Sequence, residues 1–321
     1  MLVTALSPVL VVLAALVDAV LWLVRRKPPM ALRLLAMLWW FLAGELRGIL
    51  SLGVIWLASG GRDSRTRRFR VYRLRQRWAA GHLGGVAKLF GLTFEVEGLD
   101  DAAPGPVLIF IRHASIIDNM VPDTVIGRAT GLGLRFVLKR ELAMLPTIDI
   151  GGRWVPTVFV HRASDNIDAE LEKVRLLGVD LDPEEGILIY PEGTRWTPKK
   201  MARAQEIIRE RQPEIAPLAD RLQHLLPPRL GGPLALLDAT RGIDVVFCGH
   251  VGLDGFEYVS DVWRGGLLHR TVKIKLWREA ASAIPEDPDA ATRWLYAHWQ
   301  RMDDWIGAAE SGGCDRRSGV G

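Results

Sequence analysis

Two long apolar stretches open the chain, and a finer alternation of strand-like and helix-like patterns follows. Residues 5–24, ALSPVLVVLAALVDAVLWLV, are apolar except for Asp18. Twenty residues at the helical rise span about 30 Å, one hydrocarbon core. The run starts almost at Met1 and ends in Arg25, Arg26 and Lys27 ahead of two prolines. It has no basic region before it and no small-residue cleavage site after it, so it reads as an anchor and not as a cleaved signal. Residues 30–58 are also apolar, but Arg33, Glu45 and Arg47 interrupt them. Charges there are costly in hydrocarbon unless paired or close to the interface. Trp39, Trp40 and Trp56 suit the headgroup level. This stretch reads as a second span or as a helix lying partly in the interface, with a buried pair of core helices as the alternative.

From about residue 85 the pattern becomes that of an α/β domain. Buried or alternating strands are expected at 106–113, 134–142, 154–162, 186–193, 242–252 and 271–277. Helical patterns lie between and after them: 164–178, with Ser164 as N-cap and Gly178 as stop, then 199–212 and 287–309. Strands alternating with helices predict an α/β fold with a mostly parallel or mixed central sheet, preceded by membrane helices. The expected organisation is N-terminal membrane-anchoring helices over 1–60, an Arg-rich membrane-surface segment over 61–84, the α/β domain over 85–309 and a disordered tail over 310–321.

Composition sharpens this in three ways. Hydrophobic residues make up 49% of the 321 positions, which fits membrane segments joined to a sizeable core. The net charge of +4 conceals an asymmetry. Residues 62–77 hold eight Arg and one Asp, so the chain outside the basic clusters at 25–27 and 62–77 is net acidic. Such a run suits nucleic acid or an anionic membrane surface. Because it directly follows apolar segments, the membrane is the expected partner and nucleic acid is not. Third, the two cysteines, Cys248 and Cys314, give neither a disulfide framework nor a metal site.

The candidate chemistry sits at strand ends. In FIRHASIIDNM, His113 follows an apolar strand and Asp118 comes five residues later. Five residues along a helix turn about 500°, so the two cannot share one helix face. They can meet if His113 lies in the loop and Asp118 in the first turns of the next helix. Asp118 would then hold one imidazole nitrogen and leave the other as a general base. An Asp near a helix N-terminus is also favourable on electrostatic grounds alone. In YPEGTR, Gly193 allows close backbone approach, Thr194 offers a hydroxyl and Arg195 a phosphate-matching fork. Glu192 can align Arg195 or contact a ligand hydroxyl. Arg162 ends another strand. Lys139 and Arg229 are weaker candidates, since single cations near loops are usually solvated. The histidines other than His113 show no partner pattern and read as structural.

Together RHASIID and YPEGTR resemble the first and third motifs of the glycerophosphate and lysophospholipid acyltransferases, the 1-acyl-sn-glycerol-3-phosphate acyltransferase superfamily. VLKRELAMLPTIDIGG with VFVHR is similar to the family's second region. EGTRWTPKK with LPPRLGG, and the segment from IPEDPDAATRW to RMDDWI, resemble the lysocardiolipin acyltransferase-like subgroup. Two positions depart from the family pattern: Arg112 before the histidine, and Tyr190-Pro191 before the Glu-Gly-Thr-Arg core. The resemblance implies a glycerophosphate-acyltransferase-type domain that moves a fatty acyl group from acyl-CoA or acyl carrier protein to a lysophospholipid hydroxyl. Lysophosphatidic acid is the default acceptor and another lysophospholipid, of the lysocardiolipin or lysophosphatidylglycerol type, the alternative. A non-catalytic lipid-binding protein on the same scaffold is a third reading. The resemblance further implies His113 and Asp118 as catalytic residues, and Glu192, Gly193, Thr194, Arg195 and Arg162 as substrate-binding. No metal or cofactor is implied beyond the acyl donor. The expected location is a membrane, inner or endomembrane, with the catalytic domain on the cytoplasmic side.

Overall fold

The computed structural model describes residues 7–314 apart from 140–141, 143, 161–165, 255 and 257. Seven strands form one sheet in the order β1-β7-β6-β2-β5-β3-β4. They are β1 Thr93–Glu97, β2 Val107–Ile111, β3 Gly133–Lys139, β4 Thr157–Val160, β5 Glu185–Ile189, β6 Asp244–Val251 and β7 Thr271–Glu279. Every neighbouring pair is parallel except β6–β7. The main helices are α1 Ser7–Arg25, α2 Ala31–Ala58, α3 Arg65–Phe90, α4 Pro146–Gly152, α5 Ile167–Arg175, α6 Pro198–Arg211, α7 Gly231–Ala239 and α8 Pro288–Cys314.

The pleat sorts β2 onto two cores. Val107, Ile109 and Ile111 join Leu83, Val86 and Phe90 of α3. Leu108 and Phe110 join Val174 of α5, Leu236 of α7 and Leu295, Trp299 and Met302 of α8. Successive side chains of a strand point to opposite faces, so an unbroken apolar strand requires cover on both. Helices therefore flank the sheet on both sides, as the alternation predicts.

The N-terminal helices are each long and apolar enough to cross a membrane. Asp18, the one acidic residue in α1, is buried. Its carboxylate accepts the N–H groups of Met30 at 3.0 Å, Ala31 at 2.9 Å and Leu32 at 2.9 Å. It caps α2 from another helix, and α2 has no side-chain cap of its own. Glu45 is buried as well. One oxygen accepts from Trp78 Nε1 at 2.9 Å, the other from the Thr147 N–H of α4 at 3.2 Å. Leu46, Leu50, Val54 and Leu57 leave an apolar face of α2 exposed.

The Arg-rich stretch corrects an expectation. Residues 61–84 are not a separate surface segment, because α3 runs unbroken from an N-cap at Ser64 to Gly91, whose φ of 70° ends it. Phe69, Val71 and Tyr72 of α3 are buried. Several of its arginines meet carboxylates of the α/β domain: Arg65 pairs with Asp182 and Glu184, Arg68 with Glu185 and Arg75 with Asp123. Glu185 is fully buried at the start of β5 and is held also by Arg135 and by the Tyr72 hydroxyl at 2.8 Å. Buried charge persists only where partners satisfy it. The domain thus begins with α3, ahead of residue 85. At the other end α8 runs through 310–314, which were expected in the disordered tail. Residues 315–321 lie outside the described residues.

Candidate active site

β2 and β5 are adjacent and parallel, so the chain leaves both at the same sheet edge. That edge, at the carboxyl ends of parallel strands, is where open α/β sheets hold ligands. His113 lies just beyond β2, and Tyr190 to Arg195 follow β5 directly. The two loops are fastened through the main chain of His113. Its N–H donates to Glu192 Oε1 at 2.6 Å, and its carbonyl accepts the Trp196 N–H at 3.1 Å.

Asp118 lies in a 3-10 turn, Ile117–Met120, the first turn of a helical segment that continues without a break to Thr130. The tight turn brings its carboxylate back over the preceding loop. Oδ2 accepts the N–H of Ala114 at 2.6 Å and of Ser115 at 2.7 Å, and stands 3.2 Å from His113 Nδ1. Asp118 is fully buried. Burial works against its charge, but the His250 and His113 imidazoles and the Ser115 N–H outweigh it and hold the carboxyl below the usual range. An ionised Asp118 fixes the proton on Nδ1 and leaves Nε2 as the basic nitrogen. The His113 ring also packs against Tyr190, with 4.6 Å between centroids, and the Tyr190 hydroxyl donates to the Asp118 carbonyl at 3.2 Å.

His113 faces a cavity of about 540 Å³. Gly193, Thr194, Arg195 and Arg229 line it too, so one weaker candidate joins the strong ones. Gly193 has φ 64°, and a Cβ there would stand 2.8 Å from Cδ of Arg229. Glycine thus supplies both the turn and the space for that arginine. Gly231 and Gly232 bring the N-terminus of α7 to the same cavity, where exposed N–H groups favour an anion. Val137, Leu138, Val160, Leu171 and Ile189 give the cavity an apolar wall, and Asn119 and Glu170 add polar lining.

Glu192 departs from its expected role. It is buried, and both its oxygens accept main-chain N–H groups, from His113 and, at 3.1 Å, from Leu226. It shapes the loop and does not line the cavity. Burial pushes its carboxyl up to about 8, against the pull of those two donors and of Arg112. Arg112 is likewise turned away. It is buried, donates to the His250 carbonyl at 2.6 Å and pairs with Asp254. Lys139 ends β3 beside Val160 of β4, and Arg162 lies outside the described residues. His250 went unread in the sequence. It stands on β6 with Nε2 3.1 Å from the Arg112 carbonyl and 3.7 Å from Asp118 Oδ2. Only the pairing of β6 with β2 brings it there.

Comparison with known proteins bears on the fold. Residues 93–219 match the family model described as Acyltransferase. The fold is similar to the crystal structure of the 1-acyl-sn-glycerophosphate (LPA) acyltransferase PlsC from Thermotoga maritima, with a TM-score of 0.55 at 13% identity over 85% of this chain and 97% of that one. Over residues 93–219 the chain is thus similar to the acyltransferase family that its two motifs resemble.

Proposed function

We propose that the protein transfers a fatty acyl group from a thioester, acyl-CoA or acyl carrier protein, to the free hydroxyl of a lysophospholipid, with lysophosphatidic acid as the default acceptor. The observation that carries this reading is the His113–Asp118 pair opening onto a cavity that also holds Arg195, Arg229 and the N-terminus of α7.

A hydroxyl is a weak nucleophile at neutral pH and needs a positioned base. His113 Nε2 takes the acceptor's proton as its oxygen bonds to the thioester carbonyl carbon. Asp118, held by two N–H groups, stabilises the imidazolium that forms. The tetrahedral intermediate then expels the thiolate, which recovers the proton from His113. Arg195, Thr194 and Arg229 grip the acceptor phosphate beside the positive end of α7. The apolar wall at Val137, Leu171 and Ile189 takes the acyl chain. Helices α1 and α2 lodge in the membrane where acceptor and product reside, with the catalytic domain on its cytoplasmic side.

Purified protein assayed with acyl-CoA and acyl carrier protein against several lysolipids tests the proposal. Thiol release that depends on lysophosphatidic acid is expected. His113→Ala should lower kcat by roughly 10² to 10⁴ with little change in KM. Equal activity without His113 would refute the mechanism, and preference for lysophosphatidylglycerol or lysocardiolipin would replace the default acceptor.

A further inference from the structure

A second hollow, about 700 Å³, lies between α2 and α3 and shares no lining residue with the cavity at His113. Four arginines line it: Arg47 from α2, and Arg70, Arg73 and Arg77 from α3. Those on α3 are spaced by three and four residues and so share one helix face. All four are exposed, and no Asp or Glu lines the hollow. Among the described residues no guanidinium of the four makes a hydrogen bond or an ion pair. The contrast within α3 is sharp, because Arg65, Arg67, Arg68 and Arg75 each meet a carboxylate. The Arg-rich run therefore divides into cations that fasten the helix and cations that face an unfilled groove.

Two further features fix the chemistry of an occupant. His82 lines the hollow, is 4% exposed, and its Nε2 has no partner among the described residues. The wall on the α2 side is apolar, with Leu50 and Val54 exposed at 62% and 64%. That wall continues the apolar face of a helix apolar enough to cross a membrane. A groove with clustered guanidinium forks on one side and hydrocarbon on the other is matched by an amphiphile with an anionic head. Guanidinium pairs bidentately with phosphate oxygens, and four like charges gathered without a counterion favour an anion between them. A nucleic acid would leave the apolar wall exposed, and an acidic peptide would leave it against lipid.

We propose that the groove between α2 and α3 holds the phosphate headgroup of an anionic membrane phospholipid, with its chains lying along Leu50 and Val54. This lipid is neither acceptor nor product, and the site stands independently of the acceptor assigned to the His113 cavity. Its occupancy ties the membrane-lodged α2 to α3, the first helix of the catalytic domain.

The test uses the full chain in neutral detergent, wild type beside Arg70→Gln/Arg73→Gln/Arg77→Gln. Native mass spectrometry after adding phosphatidylglycerol or phosphatidylcholine reads lipid retention. Wild type should keep one phosphatidylglycerol per chain in preference to phosphatidylcholine, and the triple variant should keep about tenfold less. Phosphatidylglycerol should also raise the thermal midpoint of wild type and not of the variant. Acyl transfer in neutral micelles should be the same in both, since none of the three residues lines the His113 cavity. Should the triple variant fold poorly, Arg73→Gln alone should show a smaller loss in the same direction. Equal retention of the two lipids, undiminished retention by the variant, or tight binding of RNA or of inorganic phosphate in place of lipid would each overturn the proposal.

Discussion

At the scale of single residues, the proposed reaction separates chemistry from support. In it His113 moves the proton and Asp118 stabilises the imidazolium, while Glu192 holds the loop. Glu192→Ala would leave the His113 and Leu226 N–H groups without their acceptor. Each buried donor stripped in this way costs about 1–3 kcal/mol. The expected result is a lower unfolding midpoint and a lower kcat together, with the acceptor KM little changed. Arg229 is exposed in the cavity wall, so Arg229→Ala should raise the acceptor KM by about tenfold and leave the midpoint alone. Steady-state kinetics beside thermal unfolding distinguish the two. A Glu192→Ala that raised only the acceptor KM would restore the substrate contact expected from the sequence. That His113 and the Gly193–Arg195 turn would meet at one sheet edge was legible because each follows an apolar strand. The role of Glu192 was not, because its partners are main-chain N–H groups 79 and 34 positions away.

At the scale of elements, the apolar runs of β2, β5 and β6 were readable because central strands need continuous hydrophobicity, and β7 because its residues alternate. β1 was not. It is an edge strand, TFEVE, almost wholly exposed, and pairs only with the distant β7. α7 was hidden by its opening Gly231-Gly232-Pro233, which reads as a turn until the helix N-terminus is seen to face the cavity. The arginines of α3 misled because charge alone does not reveal a counterion more than a hundred positions on, as for Arg65 and Asp182. Asp18 in α1 now has a reason as well. Asp18→Ala should cost the α2 cap about 0.5–2 kcal/mol. In detergent this should appear as hydrogen exchange on the order of tenfold faster at the Met30, Ala31 and Leu32 amides. Unaltered protection there would mean that the cap contributes nothing.

At the scale of the whole molecule, buried ionisable groups set opposing pH limits. Burial pushes the His82 imidazole down to about 4 and lowers that of His250. Each takes up its proton more readily once unfolded, so their contribution to stability falls as pH drops below about 6.5. Glu192 behaves oppositely. The folded carboxyl keeps its proton up to about 8 while the unfolded one releases it near 4.5, so stability falls as pH rises across that interval. Asp123, raised by burial despite Arg75, acts in the same direction. The thermal midpoint in detergent should therefore peak near pH 6.5, and Glu192→Gln should flatten the alkaline limb and steepen the acid one above about pH 4.5. A midpoint still climbing at about pH 8 would contradict this balance. One feature of the site reaches beyond energetics. Main-chain atoms on both sides of His113 hold it to the loop after β5, through Glu192 and Trp196. Neither bond involves the imidazole. Position 113 is thus an address written by the backbone, which any side chain placed there would inherit. The ring brings reactivity to a location defined without it.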